Sequence, residues 1–206
     1  MATTEPVTTT TTVTSTTAVC TRIAPVEAPY EPDVGAQLRS MMPAGAEPIG
    51  LFRTFVRNLP MAEAMHGWGR YELGRQLSVS MRAREIVIDR TCARCGCEYE
   101  WGVHVAMFGA RVGLDDAQVG SLTHGSSSDP CWSDEAERVL IDLVDQLHAT
   151  SDVDDLLWSR LASCYQPQQL LDLLLLCGWY HAISFVARAA RVAPEPGAPT
   201  FARFLP

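Results

Sequence analysis

Apolar residues recur at spacings of three and four along most of the chain, a period that predicts helices. In IGLFRTFVRNLP the period is carried by Leu51, Phe52, Phe55, Val56 and Leu59. Pro60 then opens MAEAMHGWGRYELGRQL, because proline is tolerated in a first helical turn. Ser80 starts SMRAREIVIDRTCARC, and Gly96 closes it. CEYEWGVHVAMFGARVGL follows. Asp115 caps DDAQVGSL, and residues 123–131 form a loop. Ser133 begins SDEAERVLIDLVDQLHA, Asp152 begins DVDDLLWSRLASCY, and Pro167 begins a last helix that runs to about Ala193. No alternating pattern longer than four residues predicts a strand. The expected fold is all-α, with seven or eight helices.

Residues 1–33 have a different character. MATTEPVTTTTTVTSTTAVC is dominated by threonine and APVEAPYEPD by proline, so this stretch reads as a disordered tail with an extended lead-in. Residues 34–206 read as a single domain. The chain of 206 residues is long enough for one hydrophobic core, and its 47% apolar share is that of a globular protein.

Charge and cysteine usage narrow the function classes. The net charge of −8 disfavours nucleic acid and anionic membrane surfaces. All sixteen basic residues are arginine, which excludes Schiff-base chemistry and the lysine-dependent phosphate loop. Seven irregularly spaced cysteines do not make a disulfide scaffold and fit a reducing, cytoplasmic setting. The N-terminus lacks the pattern of a secretory signal. The apolar run from Leu170 is interrupted by Asp172 and His181 and reads as a buried helix.

The candidate chemistry lies in CARCGCEYEWGVHVA, residues 92–106. Cys92 and Cys95 form a C-x-x-C, but no second pair completes a structural zinc site. A ligand set of Cys92, Cys95, Cys97 and His104 has an unusual spacing, and no metal or cofactor is expected. On a helix advancing about 100° per residue, Cys97, Glu100 and His104 fall within an arc of about 60°. The C-x-x-C lies away from that face. With a break at Gly96, Cys97 stands at a helix N-terminus, where the dipole lowers a thiol pKa and Glu100 raises it again. A plain i, i+4 pair of Glu100 with His104 beside a small buried Cys97 fits the same residues. His66, His148 and His181 fall on helical segments and read as packed or surface histidines.

The stretch REIVIDRTCARCGCEYEWGVHVAMFGARVGL resembles the carboxymuconolactone decarboxylase family, which includes the AhpD-type alkylhydroperoxidases. LFRTFVRNLPMAEA, WSDEAERVLIDLVDQLH and LLDLLLLCGWYHAISF extend the likeness over roughly residues 50–190. It implies an AhpD-like orthogonal helical bundle that assembles into homo-oligomers, trimers or hexamers. The peroxidase branch has a glutamate, eleven residues, a C-x-x-C, three residues and a histidine. In this register Glu85 is the glutamate, Cys97 the first cysteine and His104 the histidine. Glu100 replaces the second cysteine. EYEWGVH instead resembles the Y-E-W-x-x-H pattern of the decarboxylase-type branch.

The resemblance implies a cofactor-independent acid–base enzyme that acts on a small organic acid or lactone. His104 would donate and accept the proton, and Glu100 or Glu85 would orient it and hold its pKa near neutral. Cys97 and Trp101 would shape the pocket, and Arg82 could hold a substrate carboxylate. Two other readings stay open: an AhpD-like thiol peroxidase using Cys97, and a non-catalytic helical oligomer that binds a metabolite.

Overall fold

The computed structural model describes residues 20–205. The described residues contain no strand. They form eight α-helices of nine residues or more and one six-residue helix. In chain order these are α1 (Pro32–Met41), α2 (Gly50–Phe55), α3 (Leu59–Glu72), α4 (Met81–Arg94), α5 (Glu98–Phe108), α6 (Asp116–His124), α7 (Glu135–Thr150), α8 (Asp155–Cys164) and α9 (Pro167–Ala190). The all-α expectation therefore agrees with the structure. Helix α1 was hidden behind the proline-rich lead-in, although Pro32 in its first turn with Asp33 beside it is a start signal.

Local chemistry sets the helix ends. The Ser80 side chain accepts from Ala83 N, and Asp115 forms a capping box with Gln118. Two starts differ from expectation: the caps are Asp134 rather than Ser133, and Asp154 rather than Asp152. In both places a second capping residue stands nearby, and the carboxylate that reaches the first turn decides. Gly96 closes α4 with φ of 63°, a left-handed conformation that glycine adopts without steric cost.

Helix α4 is the centre of the molecule and packs against α5, α6, α7 and α9. Every residue from Ala83 to Cys92 is buried, including Arg84, Glu85, Asp89 and Arg90. A helix buried all round loses its polar face, so its charges need partners within the protein. Arg90 finds one in a two-pronged pair with Asp145, at 2.7 Å on each prong. Arg84 finds Glu85, which begins the site described below.

The lead-in does not behave as a tail throughout. Residues 1–19 lie outside the described residues. From residue 20 onward the chain is tied to the body: Arg22 N donates to Ala190 O at 2.9 Å and Val26 N to Arg53 O at 3.0 Å. Val26 and Tyr30 pack against the core. These backbone bonds, which composition does not show, place the start of the ordered chain ahead of residue 34.

At the other end, residues 195–204 cross the outer face of α5. Glu195 Oε1 accepts from Tyr99 Oη and Gly50 N, both at 2.5 Å, and Phe201 N donates to Glu98 Oε1 at 2.6 Å. Phe201 and Phe204 pack edge-on against Trp101. Gly102 makes the close approach possible: a Cβ there would lie 2.8 Å from Pro199 O. Helix α9 is long and apolar enough to cross a membrane by length and composition, but half of its most apolar window is buried inside the fold, as in a core helix.

Candidate active site

Helices α4, α5 and α9 bring four polar side chains together. His104 Nδ1 lies 2.7 Å from Glu85 Oε2. Its Nε2 lies 3.1 Å from Tyr180 Oη and 3.5 Å from Glu100 Oε1. Glu85 is fully buried, and its other oxygen accepts from Arg84 Nε at 2.7 Å. The order is therefore Arg84, Glu85, His104, then Tyr180 and Glu100. Of the two glutamates, Glu85 fixes the imidazole from behind, and Glu100 stands on the side away from it.

The electrostatics follow from this order. Burial of His104 opposes the imidazolium, but Glu85 and Glu100 outweigh it, and its pKa is raised to about 10. The near-neutral value expected from sequence is thus corrected: two carboxylates on one buried ring hold its proton. At neutral pH His104 is a charged donor on both nitrogens. Tyr180 is pushed well above the usual tyrosine range by burial, then by Glu100 and Glu85, and stays a phenol. The pKa of Asp89, one turn past Glu85, is pushed well above the usual carboxylate range by burial and by Glu85, with His104 opposing.

A cavity of about 340 Å³ opens onto Glu100, His104 and Tyr180. Its walls are apolar, with Leu51, Phe52, Met65, Phe108 and Ile183 among them, and Arg70 and His66 also line it. Glu100 Oε2 is buried and has no hydrogen-bond partner. An unpartnered buried carboxylate oxygen beside an apolar cavity favours a ligand or a transferable proton. A small, mostly apolar molecule fits this space.

The remaining sequence candidates are placed differently. Cys97 caps α5 beneath the cavity and is not part of its lining. Burial raises its pKa, and a backbone hydrogen bond at the helix start only partly offsets that. The expectation of a thiol tuned by the helix N-terminus is corrected by desolvation. Trp101 is fully buried against Phe201 and Phe204, on the far side of α5 from the cavity lining. Arg82 is held by Glu137 and by the carbonyls of Val112 and Gly113, so it does not reach the cavity either.

The C-x-x-C is not remote from Cys97 as helix geometry had implied. The turn at Gly96 folds the chain back, and the Ser184 hydroxyl comes within reach of Cys92, Cys95 and Cys97. Burial raises the pKa of each thiol.

Tyr180 is the residue that sequence reading missed. A signal was present: Leu173, Leu176, Tyr180, Ile183 and Ala187 share one buried stripe of α9. A phenol on a buried stripe needs a hydrogen-bond partner. His181, which drew attention instead, lies one residue off that stripe.

No protein-family model and no curated protein matches the chain. Solved structures do. A candidate AhpD antioxidant-defence protein of Agrobacterium tumefaciens, itself of unknown function, superimposes with a TM-score of 0.61 and 17% identity, over 68% of this chain and 95% of the other. The debrominase Bmp8 gives 0.68 and 15%, over 87% of this chain and 95% of its own. It is also known as a cysteine-to-alanine variant in complex with 2,3,4-tribromopyrrole. A peroxidase-related protein of Silicibacter sp. TM1040 gives 0.71 and 15%, over 92% of this chain and all of that one. At such identities the likeness concerns architecture: this chain has the AhpD-like helical fold.

Proposed function

We propose that the chain is a cofactor-independent acid–base enzyme, of the lyase or proton-transfer type, acting on a small, largely apolar organic acid or lactone. One observation carries this reading: Glu100, with one buried carboxylate oxygen left unpartnered, lines the apolar cavity together with a charged His104 and the Tyr180 phenol. These are an acceptor and two donors set around one space. A carbonyl oxygen held by Tyr180 and His104 would gain charge as an enolate forms, and fixed donors in a dry site stabilise that charge. In a proton transfer, Glu100 takes the hydrogen from carbon. In a decarboxylation, the C–C bond to the carboxylate breaks, CO2 leaves, and its electron pair enters the conjugated carbonyl. His104 then gives its Nε2 proton to the carbon and regains one from water.

The tribromopyrrole seen in the debrominase supports a planar, apolar ring as the ligand class for a cavity in this fold. Large apolar side chains left exposed on α8 and α9, including Leu156, Leu171, Leu175 and Phe185, support a homo-oligomer. The seven unpaired cysteines fit a reducing, cytoplasmic setting.

Hydrogen–deuterium exchange at the carbon beside the carbonyl of small aromatic lactones and keto acids tests the reading. Exchange should be catalysed by the wild type and fall by about 10²–10⁴ in His104→Gln, the usual share of a positioned acid or base. Binding without exchange would favour a non-catalytic oligomer.

A second reading has its own support. The thiols gathered around Ser184 offer Cys97 a resolving partner, as a peroxidase requires. Against it stand the raised thiol pKa values and the place of Cys97 outside the cavity lining. Rapid peroxide consumption with a dithiol, abolished by Cys97→Ser, would replace the first reading with this one.

A further inference from the structure

A second cluster of chemistry-bearing side chains lies away from the His104 cavity. Cys95 stands at the C-terminal end of α4, His148 in the last turn of α7, and His181 midway along α9. One ligand atom from each lies within 4.8 Å of the other two. The helices that bring them together pack against one another through α4, and the successive members lie 53 and 33 positions apart in the chain.

The hydrogen bonding arranges this cluster for a cation. His181 Nδ1 lies 2.9 Å from Cys177 O. A carbonyl only accepts, so Nδ1 carries the hydrogen and Nε2 presents its lone pair. Locking a ring through its other nitrogen to a backbone carbonyl is how metal-ligating histidines are oriented. That lone pair faces His148 Nδ1 at 3.0 Å. Two nitrogens of a tetrahedral zinc site stand about 3.3 Å apart, from zinc–nitrogen bonds of about 2.0 Å. An ion entering between them would need to part them by only a few tenths of an ångström. Cys95 supplies the third ligand, of the soft type that selects zinc or copper over calcium or magnesium.

The neighbouring charges leave the space usable. Arg94 is paired with Asp145 at 3.4 Å, and Arg188 Nη1 donates to Cys95 O at 2.5 Å, so each guanidinium already has a partner. Asp145 is also the acidic group that faces His148.

We propose that Cys95, His148 and His181 bind a divalent transition metal of zinc's type, with water in the fourth position. On binding, the Cys95 thiol releases its proton to solvent and the sulfur bonds the metal as a thiolate. The hydrogen on His148 Nδ1 is exchanged through water for one on Nε2, which frees Nδ1 to ligate. No electron is transferred. The bound metal ties together the ends of α4 and α7 and the middle of α9. It also fixes the turn at Gly96 from which α5, with Glu100 and His104, departs. It takes Cys95 out of the thiol group around Ser184. The site is independent of the acid–base reading, because its occupancy is measured without any substrate.

The experiment uses the full chain, stripped with a chelator and titrated with Zn²⁺, and with Co²⁺ as an optical probe. One equivalent per chain should bind, and Co²⁺ should give an intense near-ultraviolet thiolate band. Cys95→Ser should abolish that band. His148→Ala and His181→Ala should lower affinity by more than the about 100-fold that loss of an outer-shell partner costs. His148 is exposed, so its variant folds, and circular dichroism on each variant checks the others. Absence of stoichiometric uptake would overturn the proposal. So would uptake undiminished in His148→Ala, or uptake lost in Cys20→Ser, which would place the ion on an exposed thiol elsewhere.

Discussion

Two histidine sites in this molecule show opposite behaviour. His104 is buried between Glu85 and Glu100, and its pKa rises to about 10. His148 is exposed, and its nearest partner is another imidazole, at 3.0 Å. Its pKa is lowered, first by desolvation, then by His181 and Arg94. Burial alone would have ranked the two the other way, since it disfavours the charged form. At His104 the partners decide: carboxylates turn a buried imidazole into a fixed cation that can donate protons. At His148 desolvation leads, and the second imidazole adds to it in favouring the neutral form.

The largest expected effect comes from breaking the first of these sites. Glu85→Gln removes the carboxylate shared by Arg84 and His104, both buried. Leaving buried charge unpaired costs about 3–5 kcal/mol, so denaturant unfolding should show a loss of that size. In the same variant the His104 ring should titrate far below its wild-type value, read by NMR.

The pH dependence of stability sharpens the comparison next. A pKa raised from 6.5 to about 10 means that the imidazolium stabilises the fold fully below pH 6.5. This contribution fades as pH rises through about 10. Thermal unfolding of the wild type should weaken over that window, and His104→Gln should lack this part of the slope. The proposed proton donation should disappear over the same window.

Gly102→Ala comes third. The added Cβ would meet Pro199 O at 2.8 Å and push the 195–204 segment from α5. Overpacking of this kind costs about 1–3 kcal/mol, measurable by urea denaturation. The smallest effect should come from His148→Ala without metal, within about 0.5 kcal/mol, since the side chain is exposed. The contrast between the first variant and the last is the contrast between the two sites, expressed as stability.

Legibility in the sequence followed the same divide between local and distant relations. Helix positions could be read because their signals are local: the period of Leu51, Phe52, Phe55 and Val56, the Ser80 cap, the stop at Gly96. Glu100 and His104 came from helix periodicity, and Glu85 from the register of a family motif that spans only twenty residues. Trp101 stands next to Glu100 in the chain, but helical neighbours point about 100° apart, and it packs against Phe201 and Phe204 instead. Arg82 lies one turn before Glu85, but Glu137 and the carbonyls of Val112 and Gly113 hold it, contacts that no local pattern shows. Tyr180 and the His148–His181 pair depend on contacts across 76 and 33 residues, and no local pattern announces such a contact.

The segment at 195–204 also bears on the order in which the molecule is made. Gly102 lies midway between Glu100 and His104, and the carbonyl that occupies its missing side-chain space belongs to Pro199. That segment follows all nine α-helices of the described residues. During synthesis, therefore, Glu85, Glu100, His104 and Tyr180 all leave the ribosome before anything can brace the outer face of α5. A chain halted near residue 192 would hold the whole acid–histidine group without the grip on the helix that presents two of its members. A ribosome-bound nascent chain therefore braces the outer face of α5 only when residues 195–204 have emerged.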